Sequence, residues 1–152
     1  MKTATTNATK PPLTEEQKRE RYACALDDTM QDVNEQHEKL KKEFRATAEQ
    51  SGYDYAARWQ LEGVVVAEHK ATYMAAVIAM LRQLIEGEQD IQTTRANMLE
   101  YRNRLAEELV RMRPWEHHCT CAITNVTCLW QATAKAESVE MIDQLLRHAL
   151  KE

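Results

Sequence analysis

Histidine and cysteine crowd into one short run of this chain: His117-His118-Cys119-Thr120-Cys121, with Cys128 following. Neutral imidazole and thiolate are good zinc donors. On a helix, His117 and Cys121 stand one turn apart and share a face. Cys24, far upstream, or a second histidine would have to complete a tetrahedral set. Three features argue against a metal. There is no Cys-x2-Cys pair. Cys128 would lie about 10 Å along a straight helix from Cys121, too far for one ion to hold both. Cys119 shares a face with Ile123 and Val126, as an ordinary core thiol does. A zinc- or thiol-dependent module on His117, Cys121 and Cys24 is one reading, and buried or incidental thiols are the other. No other cofactor is expected.

Five arginines, Arg95, Arg102, Arg104, Arg111 and Arg113, form the second group. At about 100° per residue, Arg95, Arg102 and Arg113 project into one narrow sector of a helix. Such a row could follow a phosphate backbone, in a small subunit or regulator of a nucleoprotein complex. Glu100, Glu107 and Glu108 interleave with it, which is the pattern of a solvated or interhelical salt-bridging face. The formal net charge of -4 argues against a general polyanion binder, whose affinity comes from clustered Lys and Arg.

Catalytic signatures are missing. No Gly-x-Ser-x-Gly, no phosphate-binding Gly-rich loop and no His-Glu-x-x-His occurs. Carboxylate-bridged di-iron bundles need Glu-x-x-His, and none of the five histidines has an acid three residues before it. The chain is therefore expected not to be an enzyme.

Helices are the elements that must position these groups. Only 3 Gly and 3 Pro occur in 152 residues, so turns are few and elements long. Residues 1–12, small and polar and closed by Pro11-Pro12, read as a flexible tail, and 13–152 as one helical domain. Thr14, with Gln17 three residues on, predicts a capping box. From there helix 1 runs to about residue 50, where Gly52 ends it. Its apolar positions are Leu26, Met30, Val33, His37, Leu40 and Phe44, alternating in steps of four and three. That is the seam of a coiled coil, and a polar residue such as His37 can set register or oligomeric state there. Such a helix would reach about 54 Å, more than a compact globule uses.

A second helix is predicted over 54–86, its apolar face begun by Tyr55 and Trp59. The run from Ala71 to Ile85 is apolar almost all round and belongs at the bundle centre. Gly63 inside it predicts a kink or a close approach by another helix, because an interior Gly costs about 1 kcal/mol against Ala. Gly87 breaks the chain and Asp90 caps a third helix, which Pro114 stops. The fourth is expected from Trp115 to Leu150, with 119–130 its least helical stretch because of its Thr, Ile and Val.

The expected architecture is all-α: an elongated antiparallel bundle of about four helices with a coiled-coil-like first helix. The N-terminus has no apolar leader. The longest uncharged stretch, Ala71 to Leu81, is short of the roughly 20 residues that span a bilayer. Four Cys without a leader suit a reducing compartment, so a cytoplasmic protein with no membrane contact is expected. The functional expectation is a non-enzymatic protein–protein interaction module: an adaptor, an assembly subunit or a proteinaceous inhibitor. It would act through Leu26, Met30, Val33, His37, Leu40 and Phe44 on a protein partner or as a homodimer.

Overall fold

The structure is a computed structural model and describes residues 11–112 and 122–150. Four helices make it up: α1 (Glu15–Ser51), α2 (Tyr55–Glu86), α3 (Ile91–Met112) and α4 (Ala122–His148). No strand occurs among the described residues. The expected tail, 1–12, falls almost wholly outside them.

Local chemistry sets each boundary. Thr14 Oγ1 accepts from the Gln17 N–H at 3.2 Å, and Gln17 Oε1 accepts from the Thr14 N–H at 3.0 Å. Two orphan donors of the first turn are thus satisfied reciprocally. Gly52 ends α1 at φ 67°, a left-handed backbone that side chains disfavour, and its N–H donates to the Ala48 carbonyl at 3.0 Å. Asp54 then caps α2, accepting from the Ala57 N–H at 2.9 Å. That backbone bond holds the Asp54 carboxyl below its usual range. Asp90 repeats the device for α3, taking the N–H groups of Gln92 at 2.9 Å and Thr93 at 3.0 Å.

Consecutive helices run antiparallel. Asp27 of α1 pairs with Arg82 of α2, and Arg102 of α3 pairs with Asp143 of α4. The core is aliphatic and thioether: Leu26 from α1; Met74, Val77, Ile78, Leu81 and Ile85 from α2; Ile91, Met98 and Leu105 from α3; and Met141, Ile142 and Leu145 from α4. Tyr22 is its aromatic member, fully buried. Helix α2 is the central element, touching all three others, while α1 lies almost wholly along α2.

Two sequence expectations change. The apolar run of α2 is not enclosed: Ala71, Met74, Val77, Ile78, Leu81 and Ile85 are buried, while Ala75, Ala76, Ala79 and Met80 face outward. Three neighbouring helices cannot surround a fourth, so an arc of α2 stays bare. By length and composition α2 could cross a membrane, although its uncharged core stretch alone falls short. Gly63 neither ends α2 nor receives a neighbour, since a Cβ there would meet nothing within 4 Å. Residues 122–130 are helical, as expected despite their β-branched content. The expected start of that helix, at Trp115, lies outside the described residues.

The two ends of the bundle differ. At the α2–α3 turn, side chains tie helices together. Arg19 donates to the carbonyls of Ile85 and Gln89. Glu15 accepts from the Ile91 N–H at 3.0 Å, and Arg95 donates to the Leu146 carbonyl at 2.8 Å. At the other end, where α1 turns into α2, the described bonds include the Gly52 and Asp54 caps and the Ser51 hydroxyl donating to the Thr47 carbonyl.

A candidate protein interface at the open end

The residues that the sequence marked for chemistry serve mostly as structure. Arg95 reaches two helices: Nη1 donates to the Tyr22 hydroxyl, and Nη2 holds the Leu146 carbonyl. Burial raises the Tyr22 phenol and the Arg95 charge opposes that rise. Arg102 forks onto Asp143, Nε to Oδ1 at 2.9 Å and Nη2 to Oδ2 at 2.8 Å. The fork holds the Asp143 carboxyl below its ordinary value and the Arg102 guanidinium above its own. Two members of the expected nucleic-acid stripe, Arg95 and Arg102, are therefore committed inside the fold, and Arg113 lies outside the described residues. The signal was ambiguous because one spacing serves a phosphate row and an interhelical ladder alike.

The heptad seam of α1 is also turned inward. Leu26 is 0% exposed and Val33 6%, so neither has surface to offer a partner or a second copy. Met30 packs against the same core. His37, Leu40 and Phe44 are half-buried, and Phe44 meets Tyr53 edge-on at 6.0 Å between ring centroids. The periodicity is real, but it is answered by α2 of the same chain, because a three-residue turn folds α2 straight back along it.

Of the expected metal donors, His117 and Cys121 lie outside the described residues. Cys24 is exposed and lines a surface groove with Ala149, at the C-terminal end of α4. Among the described residues no group of three His, Cys, Asp or Glu could hold an ion.

One polar cluster sits among α2, α3 and α4. Lys135 Nζ pairs with Glu108 and donates to the Tyr73 hydroxyl at 3.3 Å. Burial pulls the ammonium down, and these two bonds outweigh it and hold it above its usual value. Its members satisfy one another, as expected of an interhelical tie.

What remains open is apolar. Among the described residues eight large hydrophobic side chains are exposed, and five of them gather where α1 turns into α2 and α4 begins: Tyr53, Tyr55, Trp59, Leu61 and Leu129. Tyr55, Trp59 and Tyr53 are 79%, 67% and 70% exposed. Tyr55 and Trp59 are one turn apart and share a face of α2. A groove of about 360 Å³ lies between α2 and α4, lined by Leu61, Val65, His69, Val126 and Trp130. The His69 ring stacks on the Trp130 indole with centroids 4.9 Å apart and planes at 20°. That stack fixes one wall of the groove. No family model, curated protein or solved structure matches this chain. The site must therefore be read from its own chemistry. Sequence reasoning placed Tyr55 and Trp59 at the start of an apolar face. It missed that both side chains are exposed among the described residues.

Proposed function

We propose that this chain is a protein–protein interaction module that docks a partner at its open end. The single observation behind this reading is the exposure of four large hydrophobics, Tyr53, Tyr55, Trp59 and Leu61, where α1 turns into α2, next to an apolar groove that Leu61 helps to line. Isolated exposed hydrophobics are ordinary, but a contiguous patch of them marks a binding surface. Tyrosine and tryptophan are also the residues that interfaces concentrate, since a rigid ring gives much contact for little entropy. The nucleoprotein reading is not carried further, since it needed Arg95 and Arg102.

The test is capture from native extract with tagged protein, with and without nuclease, set beside Tyr55→Ala and Trp59→Ala. A defined partner that survives nuclease and is lost in both variants is the expected outcome. Partners retained by both variants, or lost with nuclease, would refute the reading.

A further inference from the structure

A cleft runs between α1 and α4. Helix α1 lies along α2 and barely touches α4, so two hollows open on that side. The first, of about 430 Å³, is lined by Gln17, Glu20, Cys24 and Asp28 of α1 and by Ala149 just past α4. The second, of about 380 Å³, is lined by Asp32 and Gln36 of α1 and by Glu137, Glu140 and Gln144 of α4. Asp28 and Thr29, neighbours in the chain, belong one to each hollow. From Gln17 to Gln36 the pair follows α1 for about 28 Å, or roughly five turns. Val33, Met74 and Met141, all buried, form the floor of the second.

Charge distinguishes this cleft from the rest of the molecule. Five acids line it, Glu20, Asp28, Asp32, Glu137 and Glu140, against one base, Arg21. The chain has 24 acids and 20 bases, so nineteen of each stand elsewhere and the whole acid excess lies along this one side. Glu137 is held by Lys70, and Glu140 accepts from Gln144. Glu20, Asp28 and Asp32 are exposed and make no ion pair among the described residues. Asp28 and Asp32 are one turn apart, and Glu20 stands two turns before Asp28.

We infer that this cleft docks a basic amphipathic helix of another protein, on a surface separate from the open end. Lysines or arginines one turn apart on such a helix would match the step from Asp28 to Asp32, with Glu140 facing them from the α4 wall. Opposite charge across an interface speeds encounter and fixes register. The apolar stripe of the same helix would turn to the floor, where methionine side chains reshape readily around a partner. The same acids repel a nucleic acid or an anionic lipid surface. Because the acids stand at a wet rim, the attraction is screened by salt.

Fluorescence anisotropy on the full chain tests this. The probe is a labelled 20-residue Ala/Leu helix with Lys at every fourth position, set beside a scrambled peptide of the same composition. The Lys helix should bind, more tightly than the scrambled one and less tightly as salt rises. Asp28→Lys with Asp32→Lys should weaken it at least tenfold, while Glu86→Lys on α2 and Trp59→Ala at the open end leave it unchanged. Neither aspartate has an ion-pair partner to lose, so the double variant should keep its helical signal and melting temperature. Should it not, Glu140→Lys supplies the same test from the α4 side. Equal affinity for the scrambled peptide would overturn the inference, as would binding indifferent to these reversals or lost in Trp59→Ala. A dimer that the double reversal dissociates would overturn it in favour of a second copy. Tighter binding of the probe after removal of residues 1–10 would overturn it in favour of the chain's own Lys2 and Lys10.

Discussion

Asp143 shows how single side chains here serve the fold before anything else. Its carboxylate takes both arms of Arg102 and lies 3.8 Å from Arg147. Its pKa is depressed, so the stability that it contributes is present at neutral pH and is lost as pH falls below about 4. Asp143→Asn should lower stability at pH 7 by about 1 kcal/mol, the scale of a partly exposed pair. It should also flatten the acid limb of a melting temperature measured against pH. An acid limb identical to the wild type would mean that the fork contributes nothing. Gly63 is the second informative residue. Its Cβ position is open and its backbone helical. Gly63→Ala should therefore raise stability by about 1 kcal/mol, from helix propensity alone. A loss in urea or thermal melts would show that something needs the missing side chain. At this scale the caps were legible in the sequence, because Thr14 with Gln17, Asp54 and Asp90 act on their own next turn. The interhelical role of the arginines was one of the readings that the sequence offered, but their partners Tyr22, Leu146 and Asp143 were not legible, because they come from elsewhere in the chain.

Among the elements, α1 and α2 form the unit that decides the shape. The α1 seam gives buried residues only at Tyr22, Leu26 and Val33. Beyond Val33 it is half-buried, because there it has α2 and little else to lie on. Heptad spacing announced a seam correctly and could not say whose helix would fill it. A two-helix stretch is marginal on its own, since its stability comes from one strip of contact. Leu40→Asp places a charge in that strip. It should lower the melting temperature by several degrees, as a loss of roughly 2 kcal/mol does in a chain of this size. Greater hydrogen exchange over the second half of α1 should accompany it. Unchanged exchange there would mean that the seam bears no weight. Helix α2 carries the opposite lesson. Its all-round apolar sequence reads as a buried centre, yet the fold provides three neighbours and leaves Ala75, Ala76, Ala79 and Met80 outward. Pattern gives the preference of a helix for cover, and only the topology gives the amount supplied.

The whole molecule is polarised. One end is closed by side chains that grip backbone carbonyls across helices, with Arg19 and Arg95 the chief examples. Toward the other, Tyr53, Tyr55, Trp59, Leu61 and Leu129 are exposed, and Leu61 lines a groove between α2 and α4. The four-helix, all-α architecture was legible from the scarcity of Gly and Pro. The open end was not, because exposure is a property of what lies opposite a residue, which no local spacing encodes. The central claim is that this end meets protein. Site-specific photo-cross-linking in living cells tests it most directly, with the probe placed in turn at Trp59, at Leu129 and at Gln31 on the polar face of α1. The expected result is discrete, nuclease-resistant adducts from positions 59 and 129 and none from 31. Silence at 59 and 129, or adducts of equal strength from all three, would contradict it.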